Sequence, residues 1–150
     1  MSKYQTKAYT GKRPLVLPTD GAPRWVAVDV DFPSTAPVAS DLIELCKLPI
    51  GVKVLDWVAI FPDIDSNGAP AFAFSLGEEN ATFDDLGAGT AVWTAGITAG
   101  QSTAIVRNAN SVPAQQATTT ERVIAMKVTT AAATYAGSGK VGQLMLQLQS

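Results

Sequence analysis

Two adjoining stretches decide the fold: Leu42-Ile-Glu-Leu-Cys-Lys-Leu-Pro-Ile-Gly-Val-Lys-Val-Leu-Asp-Trp-Val-Ala-Ile-Phe61 and Asp63-Ile-Asp-Ser-Asn-Gly68. They read as strand, tight turn, strand, tight turn. Pro49 and Gly51 punctuate the first turn, and Asp65, Asn67 and Gly68 the second. Ala71-Phe-Ala-Phe-Ser-Leu76 follows as a third strand, so the expectation is an antiparallel meander to which the rest of the chain adds strands. The run 52–61 is apolar on both faces, interrupted only by Lys53 and Asp56. Such a strand is central in a sandwich or lies under another subunit.

Upstream, Trp25-Val-Ala-Val-Asp-Val-Asp-Phe32 has the period of a half-buried strand, with Val26, Val28, Val30 and Phe32 on one face. Residues 38–48 read as strand in preference to a helical turn around Ser40. Downstream, Phe72, Phe74 and Leu76 point one way. The polar excursion 77–89 is too long for a hairpin turn, and a short helix over 82–86 capped by Thr82 fits it. Short strands follow at 90–94 and 103–107, separated by an Ala/Gly/Thr-rich stretch in which register is poorly specified. A polar loop then spans 108–119. Ile124, Met126 and Val128 alternate in the next strand, and Leu144, Leu146 and Leu148 in the last, where Met145 is the apolar exception on the outer face.

About eight strands without an amphipathic helix predict an all-β antiparallel sandwich, most simply jelly-roll-like. The expected division is an extended N-terminal arm at 1–20 and one sandwich domain at 21–150. A chain of 150 residues is long enough to bury roughly 70% of the surface its unfolded form exposes, so its core needs no staples. The expected core is Val26, Val28, Val30, Leu55, Trp57, Phe72, Phe74, Ile124, Met126, Leu144, Leu146 and Leu148.

Composition excludes several functions. Charged residues make up only 16% of the chain, against roughly 25% in soluble domains, which suits a surface covered by other protein. Net charge is −2, without the basic surplus of a nucleic-acid-binding face. No run approaches the ~20 apolar residues of a membrane helix. Residues 1–7 lack the apolar region of a secretion signal, so the chain is expected to be made in a cytoplasm. There is no histidine, which removes Ser-His and Cys-His nucleophilic pairs and the commonest metal ligand. The single cysteine, Cys46, reads as a small buried residue.

The remaining motifs favour turns and surfaces over chemistry. Gly137-Ser-Gly-Lys-Val-Gly142 fits G-x-G-x-x-G, but a strand follows where a dinucleotide site needs a helix. Asp63, Asp65, Asn67 and Gly68 match the start of a calcium loop, but Phe74 stands where the bidentate Glu belongs. Glu78, Glu79, Asp84 and Asp85 place four carboxylates in one excursion. They suit a solvated loop, a surface for a basic partner such as the arm of a neighbouring copy, or the acid and base of a hydrolase. The arm carries Lys3, Lys7, Lys12 and Arg13 with no acidic residue before Asp20. It reads as a disordered tail with an edge strand, or as a segment ordered on an acidic surface.

With these strands laid out, the chain resembles the head decoration or cement proteins of tailed bacteriophages. The likeness rests on Leu48-Pro-Ile-Gly-Val-Lys-Val-Leu55, the 63–68 turn, Phe72-Ala-Phe-Ser-Leu-Gly77 and the Ala/Thr/Gly-rich second half, and covers residues 38–150. It implies a jelly-roll fold and a non-enzymatic virion protein on the capsid exterior, made in the host bacterial cytoplasm. It further implies a homo-oligomer, a trimer in preference to a dimer, bound to the major capsid protein, with no cofactor. On that reading Lys3, Lys7, Lys12 and Arg13 contact capsid or an adjacent copy. Trp57 and Phe61 bury the core or a subunit interface, and Glu78, Glu79, Asp84 and Asp85 join the partner surface. A β-sandwich that binds carbohydrate or a host surface through Trp25 or Trp93 is the alternative.

Overall fold

The computed structural model describes residues 1–108 and 119–150. Among these residues are nine strands: β1 (Lys3–Gln5), β2 (Arg24–Asp31), β3 (Leu42–Leu48), β4 (Lys53–Phe61), β5 (Ala73–Glu78), β6 (Val92–Ile97), β7 (Ala104–Arg107), β8 (Arg122–Thr130) and β9 (Val141–Gln149). The expected polar loop 108–119 falls almost wholly on residues 109–118, outside those described.

The strands form two sheets, ordered β1-β3-β8-β5-β6 and β2-β9-β4-β7. From β2 onward every connection passes from one sheet to the other except β5 to β6. These orders are compatible with a jelly roll, with β1 added as a parallel edge strand beside β3. The all-β sandwich is as expected; the meander is not. β3, β4 and β5 alternate between sheets, so the turns at 49–52 and 62–72 arch across the core instead of closing hairpins.

The core fills the space between the sheets. Trp57 of β4 stacks on Trp93 of β6 with ring centroids 6.4 Å apart, and Phe61 meets the edge of Phe74 at 5.1 Å. Val28, Val30, Leu144, Leu146 and Leu148 line one side, and Ile43, Leu45, Phe74, Leu76, Ile124, Met126 and Val128 the other. Each of the larger side chains contributes about 1.5–3 kcal/mol by leaving water. Gly100 sits against Phe72 and Ile64 so closely that a Cβ there would collide with both.

Alternation misplaces one core residue. A bulge between Val54 and Asp56 inserts an extra residue, so Val54 and Trp57 both point inward while Leu55 is left half-buried. This is the usual effect of a bulge on side-chain phase. Val26, also expected inside, is partly buried and packs on the core margin. The expected helix over 82–86 is absent. Phe83 has φ +54°, and the Asn80 side chain holds the turn by accepting from the Thr82 hydroxyl and the Asp84 N–H. β3 begins at Leu42, later than residue 38, because Ser40 turns the chain with φ +76°.

Asp65 ties the end of the β4–β5 arch to the β8–β9 connection. Its Oδ2 accepts N–H bonds from Ala71 at 2.7 Å, Phe72 at 3.1 Å and Ala133 at 2.9 Å, and its Oδ1 accepts from Thr134 at 2.9 Å. Burial pushes this carboxyl up, but the N–H donors of Thr134, Ala71, Ala133 and Phe72 outweigh it and hold the group well below the usual carboxylate range. Both oxygens of the sequence's calcium-loop candidate therefore face N–H donors, which repel a cation.

Candidate functional site

Three of the charged residues singled out from the sequence, Lys3, Glu79 and Asp85, meet over the outer face of the β1-β3-β8-β5-β6 sheet. Residues 79–91 fold back over that face instead of projecting into water. A Cβ at Gly77 would strike the Ala91 backbone, so the close return requires glycine there. Lys127 of β8 bonds Asp85 at 2.6 Å. Lys3 of β1 donates to the Phe83 carbonyl.

Beneath this loop lies a residue that the sequence reading passed over. Glu44 of β3 is buried, and accepts from Lys3 Nζ at 2.8 Å and from Gln5 Nε2 at 2.7 Å. Its signal was a lone charge in the apolar run 42–46. Glu79 is buried beside it, with Oε2 3.6 Å from Lys3 Nζ and neither oxygen hydrogen-bonded. Burial, followed by repulsion from Glu44, pushes the Glu79 carboxyl up to about 7, against the pull of Lys3. The acidic loop thus meets Lys3 of its own chain's arm, a contact within one chain that the sequence reading, which looked to the arm of a neighbouring copy, did not describe.

The other candidates are placed as follows. Glu78 bonds Arg122 at 2.8 Å, and Arg122 also donates to the Val52 carbonyl, tying this sheet to the β3–β4 connection. Asp84 accepts from Asn80 and Thr82, and these bonds lower its carboxyl. Lys7 pairs with Asp31 at 3.0 Å, and Arg13 pairs with Asp29. Lys12 is exposed and makes no ion pair among the described residues. Trp57 and Phe61 are wholly inside the core. An open cleft of about 560 Å³ runs between residues 78–83 and 120–122, but Glu78 and Glu79 on its wall are committed to Arg122 and to the Lys3–Glu44 cluster.

Cys46 is buried, and burial pushes its thiol up to about 12, so it is no nucleophile at neutral pH. Gly137 to Gly142 forms a tight turn, closed by Lys140 N–H to the Gly137 carbonyl at 2.9 Å, and leads into β9. Trp93 is buried and unavailable to a groove, whereas Trp25 is 46% exposed. No group of three or more metal-ligating side chains exists among the described residues. No helix among them is long and apolar enough to cross a membrane.

This is a two-sheet sandwich, and solved structures of phage capsids contain the same fold. A chain in the capsid of Ralstonia phage GP4 matches with a TM-score of 0.83 at 25% identity, over 99% of this chain and 98% of that one. A chain in the capsid asymmetric unit of cyanophage Pam1 matches with a TM-score of 0.61 at 19% identity, over 92% of each. The second likeness is one of fold alone. No family model and no curated protein matches the sequence.

Proposed function

We propose that this chain is a structural, non-catalytic protein of a bacteriophage virion, and that it decorates or cements the assembled capsid from the outside. The observation that carries the reading is the nearly end-to-end likeness to a chain of the Ralstonia phage GP4 capsid. The chemistry agrees: each carboxylate of the acidic excursion is engaged by a side chain of its own chain. Cementing requires broad contacts with the major capsid protein and with other copies, and no reaction.

Within that role, residues 1–20 act as a capsid-contacting arm. The exposed pairs Lys7–Asp31 and Arg13–Asp29 are each worth about 0–1 kcal/mol, so the arm can exchange them for acidic groups on a capsid subunit at little cost. Lys12, already exposed, needs no exchange. Lys3 differs, because it is the cation shared by the buried Glu44 and Glu79.

Co-sedimentation of the purified protein with capsids tests the reading. Saturable binding to intact shells is expected, together with weaker binding and unchanged folding for the Lys7→Glu/Lys12→Glu double variant. Failure to bind shells would overturn the cement role. Unaltered binding by the double variant would remove the arm from it.

A further inference from the structure

The outer face of the β2-β9-β4-β7 sheet is unusually apolar. Trp25 and Ile105 are 46% and 60% exposed there, and with Val58, Ile60, Met145 and Arg107 they line a shallow depression of about 330 Å³. An antiparallel sheet with one face in water normally alternates polar residues outward. β4 instead carries apolar side chains on both faces.

The register lays this face out in rows. Ala27, Met145, Val58 and Arg107 form one, Trp25, Gln147 and Asp56 the next, and Asp29, Gln143, Ile60 and Ile105 the third. Asp29 is already paired with Arg13. Asp56 and Arg107 have no ion-pair partner among the described residues, although each borders the apolar centre. Among the described residues, Asp56 Oδ1 accepts only the Trp57 N–H, at 2.8 Å.

We infer that this face joins two copies of the chain, packed sheet to sheet about a two-fold axis. An isologous interface requires that each residue and its contact exchange roles across the axis. With strands ~4.8 Å apart and same-face neighbours ~6.8 Å apart along a strand, Asp56 and Arg107 both lie roughly 7 Å from the midpoint between Met145 and Val58. A two-fold through that midpoint, in the plane of the face, lays Arg107 of each copy over Asp56 of the other. Met145 and Val58 then meet at the centre, and Trp25 supplies a large amphipathic anchor of the kind that dominates interfaces. This complementarity selects a dimer, where the sequence reading favoured a trimer. The inference deepens the virion reading and takes only its purpose from it.

Light scattering of the full chain over a concentration series provides the test. The wild type is expected to dimerise. Arg107→Asp and Asp56→Arg should each raise the dimer dissociation constant at least tenfold, and the double reversal should restore it. Ile105→Lys should be monomeric, with the wild-type thermal transition showing that it is folded. A wild type that stays monomeric throughout, or an oligomer indifferent to Ile105→Lys and to both reversals, would overturn the interface. A monomeric wild type whose capsid binding is lost in Ile105→Lys would assign the face to the shell instead. A dimer that ignores capsids would sink the virion reading and leave this interface standing.

Discussion

Lys3 Nζ lies 2.8 Å from Glu44 Oε1 and 3.6 Å from Glu79 Oε2, and so bonds the parallel edge strand β1 to a buried pair of like charges. One partly exposed ammonium is shared by two buried carboxylates.

Replacing Glu79 by Gln therefore stabilises the fold at alkaline pH. The folded-state carboxyl is raised to about 7, above its unfolded value of about 4.3. Between those values the folded chain holds a proton that the unfolded chain has lost, so stability falls as pH rises through the window. The Tm of Glu79→Gln should exceed that of the wild type at pH 8 and converge on it near pH 5.

Lys3→Met should have the opposite effect. It leaves Glu44 and Glu79 without their cation, and the cost is about 1–3 kcal/mol, reduced from the full price of a broken buried pair because Lys3 is partly exposed. Urea unfolding at pH 8 measures it, and a smaller loss at pH 5 would show Glu79 taking up a proton in compensation.

Asp65→Asn removes the charge that five backbone N–H groups of the arch and the β8–β9 connection share. The expected loss is about 3 kcal/mol, since charged acceptors make the stronger hydrogen bonds. The folded carboxyl is depressed, so its contribution is complete above the unfolded value of about 3.9 and disappears as pH falls below it. Acid titration of stability should show a shallower decline in the variant than in the wild type.

Trp57→Ala opens a cavity where two sheets meet and strips Trp93 of its stacking partner. A loss of about 3–5 kcal/mol is expected, read by urea unfolding, with the near-ultraviolet signal of the Trp pair reduced in the folded state.

Cys46 should react with a thiol reagent only on unfolding. The folded protein is expected to resist modification at pH 8, and labelling should reach completeness in denaturant.

The fold was legible where strands keep an unbroken period. Val28 and Val30 in β2, and Leu144, Leu146 and Leu148 in β9, are core residues as alternation requires. Legibility failed where the backbone departs from that period. The bulge at Val54 to Asp56 turned Leu55 aside, and a positive φ at Phe83 replaced a helix with a turn. The punctuation at Pro49 and Gly51 marks a change of direction without telling a hairpin from an arch, because that choice depends on strands more than fifty residues further on. Glu44 went unread for a related reason. Its burial follows from residues 79–91 folding over β3 and β8, and nothing local to Leu42–Leu48 signals that cover. The acidic loop and the basic arm were recognised as complementary, but residue types do not say whether complementary charges meet within one chain or between two.

The sheet order carries a consequence for how the chain reaches this state. β9 stands between β2 and β4, so one sheet has no continuous backbone ladder until Val141–Gln149 arrives. β2 waits with its Trp25 and Val26 edge unpaired while more than a hundred residues are synthesised. Contacts so distant in sequence make for slow closure, and an interrupted chain lacking β9 would present two half-sheets with open edges to every other chain nearby.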